Sequence, residues 1–306
     1  MGIGIGIGFS GWPFGETNPE AFWSAVDLAE NLAIDSLWLS DRVVSEALSL
    51  EPVVALSWVA ARTRKMKFGT SVMALPLRNP TVLAKELATL DFLSGGRLLL
   101  AVGLGRDDDT ELQACGIHRS ERAGRTEEMV QLLRALWSEN GVSAEGKYYQ
   151  FRDVTIAPKP AQANPPIWVG GRSSPAFRRT ARLADGWLGS QMTAEEVGSA
   201  IIRIRQYAAE YGRQIDHDHF GVLFNFCFAR DAAEAARIAR PYALRNRHDV
   251  DFVETSALGT AHDITAAIQR FIDAGASKFV ARPACPPAAI HDQLKRLGTE
   301  VIPRFT

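Results

Sequence analysis

The segment WVGGRSSPAFRR places two glycines, an arginine and two hydroxyls immediately before a helix start. Backbone N–H groups, hydroxyl donors and the positive end of a helix converging there would hold a phosphate, with Gly170, Gly171, Arg172 and Ser173 as the candidates. A plain N-cap by Ser173 or Ser174 explains the serines equally well. In VGLGRDDDTE, Gly103 and Gly105 precede Arg106 and three aspartates. The third glycine of a dinucleotide fingerprint is missing, so space cleared for a flat ring is the alternative use of the pair. Asp107 to Asp109 are consecutive and point different ways, which suits a solvated loop or a helix N-terminus better than a metal site. In FGTSVMALPLRNP, the small Gly69, Thr70 and Ser71 interrupt an apolar run and suggest a bulge, a close backbone approach or a simple bend. Finally, Asp41 and Arg42 follow the apolar LWL and offer a carboxylate and a guanidinium. Either group would orient a substrate or bond a ring, unless the pair merely opens a polar loop.

These segments share a position, since each follows an apolar strand. Gly2 to Phe9 alternates, with Ile3, Ile5, Ile7 and Phe9 on one face and glycines on the other. A helix follows with Asn18 as cap and Pro19 at its first position. The rhythm repeats through the strands DSLWLSD, MKFGTSVMAL, RLLLAVGLG, PIWVGG, DGWLGS, HFGVLFNFCFA and SKFVARPA, each followed by helical spacing. Two helical stretches are expected between Asp231 and Ala274, and residues 144–160 read as an inserted hairpin and extended segment before the fifth strand. Eight strand–helix units call for parallel pairing with right-handed crossovers, and at 306 residues they predict one closed (β/α)8 TIM barrel over residues 1–306. An open doubly wound sheet is the alternative should one strand be miscounted. In a barrel, chemistry gathers at the carboxyl ends of the strands, where these four segments lie.

Composition narrows the partners. With 34 basic and 35 acidic side chains the formal charge is -1, which gathers neither nucleic acid nor anionic lipid and points to a small-molecule substrate. The three cysteines, Cys115, Cys227 and Cys285, are widely spaced and form no metal or disulfide pattern, so a reducing cytoplasm is expected. Neither a signal peptide nor a membrane span is read in the chain. His118, His217, His219, His248, His262 and His291 are read as solvated, and no Ser–His–Asp set follows from spacing. Trp12, beyond the first strand, would line a substrate pocket or pack on its own loop. Arg282, after the last strand, would reach the mouth or form a surface ion pair. Leu56, Trp58 and Val59, with Leu87, Leu90 and Phe92, form apolar helical stripes that suit barrel packing or a dimer interface.

Taken together, DSLWLSD, KFGTSVMALPLRNP, LATLDFLSGGRLLLAVGLG, ERAGRTEEM and PPIWVGG with its downstream ARLADGW resemble the bacterial luciferase-like superfamily over nearly the whole chain. Within it the chain is most similar to the actinobacterial subgroup that uses coenzyme F420, a deazaflavin. The resemblance implies a bulged, non-proline cis peptide at Ser71 and Val72 behind the cofactor ring. It also implies Gly103, Gly105 and Arg106 along the ring or its side chain, and Gly170, Gly171, Arg172 and Ser173 at the phosphate. A homodimer is the family expectation. Where related F420 enzymes often carry Asp-His, this chain has Asp41-Arg42. Arginine stays protonated, so Arg42 is a poor proton donor and suits charge stabilisation or anion binding instead. The expected activity is hydride exchange between F420 and a small organic substrate. The alternatives are a monooxygenase using reduced FMN from a separate reductase, and a noncatalytic flavin-binding protein that has lost its proton donor.

Overall fold

The computed structural model describes residues 2–15, 17–243 and 247–305. Eight parallel strands close into a barrel in the order β1 (Gly4–Phe9), β2 (Ser36–Leu39), β3 (Lys67–Ala74), β4 (Leu98–Gly103), β7 (Ile167–Gly170), β8 (Gly186–Ser190), β9 (Phe220–Phe228) and β11 (Lys278–Pro283), with β11 returning to β1. The two strands outside that ring between β4 and β7 are β5 (Val142–Glu145) and β6 (Gln150–Val154), the antiparallel hairpin expected from residue 144 onward, which begins at Val142. A further short strand, β10 (Ser256–Gly259), pairs with the carboxyl half of β9 and was not anticipated in the stretch read as two helices. Its four residues are too short to show a period, and the longer β9 supplies the free edge that makes them a strand.

Helices cover the outside: α1 (Pro19–Asn31), α2 (Pro52–Arg62), α3 (Pro80–Ser94), α5 (Arg122–Ser138), α6 (Ser174–Leu183), α7 (Ala194–Glu210), α8 (Ala232–Ala239), α9 (Ala261–Asp273) and α10 (Ile290–Arg296). A short α4 (Asp109–Ala114) forms inside the loop that follows β4. Local chemistry sets the ends. Asn18 Oδ1 accepts the Glu20 amide at the start of α1, and Asn79 Oδ1 accepts from Thr81 and Val82 at the start of α3.

The alternation in β1 orients the whole barrel. Ile5, Ile7 and Phe9 face outward into the main core beneath the helices, while the glycine face turns inward. A Cβ on Gly6 would sit 2.3 Å from Ser36 Oγ, 2.6 Å from the Ser36 carbonyl and 2.9 Å from the Trp38 indole nitrogen, and one on Gly8 would sit 2.6 Å from Val280 Cγ1. Glycine in β1 therefore makes room for the close approach of β2 and for the Trp38 and Val280 side chains of the neighbouring strands. The barrel interior is a separate small cluster of Trp38, Ala101, Leu188, Leu223 and Val280, with Val72, Leu99 and Trp168 packed against it. Of the apolar stripes on α2 and α3, Leu56, Val59, Leu87 and Leu90 are buried in the core, whereas Trp58 and Phe92 are exposed. Among the described residues no helix is long and apolar enough to cross a membrane.

Candidate active site

The strand register sorts the inward side chains by height. Along β11 these are Lys278, Val280 and Arg282, paired across β9 with Gly221, Leu223 and Asn225. Arg282 and Asn225 thus stand at the carboxyl end, above a sealed apolar middle layer. On the other side of the mouth, β3 shifts register between Ser71 and Met73 against β4, and the Ser71–Val72 peptide is cis. The extra residue turns Val72 into the barrel, where it meets the bare ends of β4 and β7. A Cβ on Gly103 would lie 2.7 Å from Val72 Cγ2, and one on Gly170 would lie 2.6 Å from Val72 Cγ1. Both glycines are explained by that contact: any side chain there would push Val72 out of the mouth. Gly105, at φ +74, carries the chain away in a conformation that L side chains rarely adopt.

Beside this wall runs the turn at the end of β7. Gly171 has φ +134, and a Cβ there would sit 2.7 Å from that of Ala176, so glycine is needed both for the backbone and for the approach of α6. Its carbonyl accepts from the Trp187 indole at 2.7 Å. Ser173 is the N-cap of α6, its Oγ accepting the Ala176 amide at 3.4 Å. Gly171, Arg172, Ser173 and Ser174 are all exposed, and the Arg172 guanidinium forms no salt bridge among the described residues. This leaves an exposed helix start with an arginine alongside, the donor set an anion such as a phosphate requires. The residues present fit a phosphate-bearing flavin or deazaflavin: an apolar wall of Val72 seated on Gly103 and Gly170 for the ring, and donors next to it for the phosphate.

Arg282 is a cation with little company. Its Nη1 donates to Asn225 Oδ1 at 3.1 Å, it forms no salt bridge among the described residues, and burial pushes its pKa down to about 10. A desolvated guanidinium that still carries its charge at neutral pH attracts an anion or a polarised carbonyl oxygen.

Asp41 and Arg42 are adjacent in sequence but belong to different networks. The Asp41 side chain has 0% exposure; its Oδ1 accepts from Arg78 Nη2 at 2.8 Å, while Oδ2 accepts from Arg78 Nε at 3.2 Å and the Ala74 amide at 3.0 Å. Burial raises its carboxyl above the ordinary carboxylate value, opposed by the charge and hydrogen bonds of Arg78. Arg78 also pairs with Glu51 at 2.8 Å. Arg42 turns the other way, its Nη2 donating to the Val44 carbonyl at 3.0 Å and to Asp108 at 3.3 Å, with Nε 3.7 Å from Glu111. Glu111 is buried and also accepts the Val43 and Val44 amides at 2.8 and 3.2 Å. Asp41 thus ties the end of β2 to the end of β3, and Arg42 ties the following loop to α4.

The three aspartates are similarly occupied. Asp108 caps α4, while Asp107 and Asp109 pair with Arg119, and Asp107 with Arg122. Among the described residues no cluster could hold a metal ion. Arg106 is exposed, with its carbonyl accepting from Arg122 at 2.9 Å. Trp12 packs edge-on to Phe14 at 5.1 Å and tilts against Phe22 at 6.1 Å, part of the aromatic cluster over the end of β1. His219 is half-buried rather than solvated, its Nδ1 3.0 Å from the Asp185 carbonyl. Reading by sequence did not single out Arg78, Glu111 or Asn225. Only Asn225 carried a signal, as the one amide within the apolar HFGVLFNFCFA.

The sequence profile of the luciferase-like monooxygenase family matches residues 1–297. The F420-dependent glucose-6-phosphate dehydrogenase of Kineococcus radiotolerans is 31% identical over 226 residues, which cover 70% of this chain and 66% of that protein. The FMNH2-dependent dimethylsulfone monooxygenase of Pseudomonas putida is 32% identical over 191 residues, 61% of this chain and 51% of that protein. The matched stretches thus span just under two thirds of the first relative and about half of the second. A solved F420-dependent secondary alcohol dehydrogenase, in complex with an F420–acetone adduct, superposes with a TM-score of 0.84 at 21% identity, covering 100% of both chains. That likeness establishes the fold.

Proposed function

The chain belongs to the luciferase-like monooxygenase family, and from that premise we propose that it is an oxidoreductase exchanging hydride between coenzyme F420 and a small organic substrate. The observation that carries this reading is the Val72 bulge set between Gly103 and Gly170 at the barrel mouth, with the exposed Gly171 to Ser173 turn beside it. The F420-dependent relative supports the choice of cofactor. When bound, the deazaflavin supplies or takes the hydride; orientation, exclusion of water and charge fall to the protein. Ser71 and Val72 would back the ring, and Gly103 and Gly105 would let it lie flat against the strand ends. Arg172, Ser173 and the start of α6 would hold the phosphate, with Arg106 near the outer part of the cofactor.

Arg282 would hold a carbonyl oxygen or an anionic group of the substrate and stabilise negative charge there as it develops. Asp41 and Arg42 act as positioning residues: Asp41 fixes the junction of β2 and β3 from which the bulge rises, and Arg42 fixes the loop over α4. Trp12 forms the aromatic rim behind them. Free cysteines support a reducing, cytoplasmic setting. Exposed Val54, Trp58, Phe92 and Leu93 on α2 and α3 support a homodimer through that face.

A second reading, favoured by the FMNH2-dependent relative, keeps the site and uses reduced FMN delivered by a separate reductase. Titration of the purified protein with F420 and with FMN, oxidised and reduced, separates the two. Micromolar F420 binding with negligible FMN binding is the expected result; FMN preference with substrate-dependent incorporation of oxygen would overturn it. Binding without turnover of any substrate would return the noncatalytic alternative.

A further inference from the structure

Next to the phosphate turn stands a cation whose bonding capacity is exhausted. Arg247 follows α8, and its side chain is 8% exposed. All five of its N–H donors are taken: Nη1 donates to the Gln191 carbonyl at 3.0 Å and Glu196 Oε2 at 2.7 Å, Nη2 to Glu196 Oε1 at 2.9 Å and Asp249 Oδ2 at 2.5 Å, and Nε to Asp249 Oδ1 at 2.9 Å. Gln191, one residue beyond β8, sits at φ 53, which is uncommon for a residue other than glycine. Because Val169 pairs with Trp187 and Gly170 with Leu188, the end of β8 runs beside the turn at Gly171 to Ser173. The guanidinium therefore pins the segment 247–249 to the rim that carries the phosphate candidates.

The charges there do not cancel. One guanidinium faces two carboxylates, which leaves one negative charge over, and Asp249 is the more exposed of the two, at 70% against 36% for Glu196. Glu196 also accepts the Thr193 amide in the capping box of α7, so its oxygens are spent on α7 and Arg247. Lining the same cavity, Arg240 lies over the Phe252 ring at 4.9 Å and Asp251 accepts the Val253 amide at 3.2 Å, one further charge of each sign. Hydrogen bonds from Arg247 chiefly hold the Asp249 carboxyl down to about 2, and the nearby Arg172 charge contributes to that depression. The surplus carboxylate thus stands within electrostatic reach of the arginine assigned to the phosphate.

We propose that Asp249 is a specificity-determining residue that tilts this site toward a singly charged phosphodiester and away from a doubly charged phosphomonoester. The inference rests on the proposed phosphate site at Gly170 to Ser173. Arg172 alone would hold a dianion more tightly than a monoanion. A carboxylate fixed beside it opposes each added negative charge and offsets that advantage. The distinction is the one between the two cofactors considered above: F420 carries its phosphate as a diester with one charge, and FMN as a monoester with about two. Fixing matters, because a free aspartate would swing into water as a phosphate arrived; bidentate pairing with a saturated Arg247 holds Asp249 in place.

The test uses ligands that share one ring and differ in the phosphate: riboflavin, the methyl phosphodiester of FMN, and FMN itself. Each is titrated calorimetrically at low salt, and at a pH of about 8 where the monoester is doubly charged, into the full chain and its Asp249→Asn variant. For an exposed carboxylate the gain per unit of phosphate charge is about two- to fivefold. Asp249→Asn should therefore tighten the diester by that factor, FMN by about its square, and riboflavin not at all. Asp249→Glu, which keeps the charge, should keep the order of the unsubstituted chain, and salt at about 0.5 M should shrink the differences. F420 is titrated in parallel into the unsubstituted chain and Arg172→Met. F420 binding that is absent or indifferent to Arg172→Met would overturn the phosphate-site reading, and this inference with it. Where Arg172→Met does weaken F420, an Asp249→Asn variant that shifts all three flavins equally, or shifts none, overturns the inference alone.

Discussion

Asp41→Asn is the substitution that most directly separates a positioning role from a chemical one. The carboxylate has no exposed surface and receives three hydrogen bonds, two from Arg78 and one from the Ala74 amide. An asparagine oxygen can still accept from Ala74, but its amide turns a donor toward a guanidinium that is 15% exposed. Removing one partner of a buried ion pair costs about 3 to 5 kcal/mol. Glu51 remains 2.8 Å from Arg78 and is itself 41% exposed, so part of the charge stays matched and a loss of about 2 to 4 kcal/mol is expected. For a chain of this size that lowers the melting temperature by about 3 to 6 °C. The assay is a double-mutant cycle with Arg78→Met, read by urea unfolding. The double variant should recover at least about 1 kcal/mol relative to the sum of the singles, because it leaves no uncompensated buried charge, Glu51 being partly exposed. The reasoning fails if the single losses simply add, or if melting is unchanged while turnover collapses, which would make Asp41 a group acting on the substrate.

Three other outcomes are expected. Gly170→Ala places a methyl 2.6 Å from Val72 Cγ1 and should cut F420 affinity by about tenfold or more, with Val72→Ala in the same chain restoring much of it, as titration of cofactor fluorescence will show. Burial pushes the Cys227 and Cys285 thiols up to about 11 and 12, so both should resist a thiol reagent at mildly alkaline pH until the chain is unfolded, as thiol counting by absorbance will report. Trp58→Asp should convert the proposed dimer to a monomer in light scattering with little change in melting, since Trp58 is 64% exposed on α2; a mass that never exceeded one chain in the unsubstituted protein would refute the interface.

Much of the architecture was legible because it rests on period and on capping. The strict alternation of Gly2 to Phe9 reads as a strand in any context, and Asn18-Pro19 and Asn79-Pro80 mark helix starts through bonds that span two or three residues. Glycines following apolar strands marked the mouth for the same reason: each βα unit is local, and the barrel rule says which end matters. The sequence of β1 also required one face to be bare, though not which face would turn inward. That was decided by Ser36, Trp38 and Val280, which crowd Gly6 and Gly8 from the strands on either side of β1.

The roles of individual polar groups depended on the tertiary structure. Asp41 and Arg42 are neighbours by one peptide bond, and a reader of the chain groups them. Burial draws Asp41 to Arg78, a partner 37 residues away, and Arg42 to Asp108 and Glu111, 66 and about 70 residues away. Arg282 likewise reads as a mouth residue or as half of a surface ion pair until β9 brings Asn225 beside it inside the barrel. The sequence by itself determined the eight barrel strands and the helices between them, though not β10, because those follow from local backbone preferences and apolar spacing. Only the folded barrel decided which charges are spent on one another and which remain free for a ligand, because electrostatic pairing depends on distance and desolvation in space, and neither is written into separation along the chain.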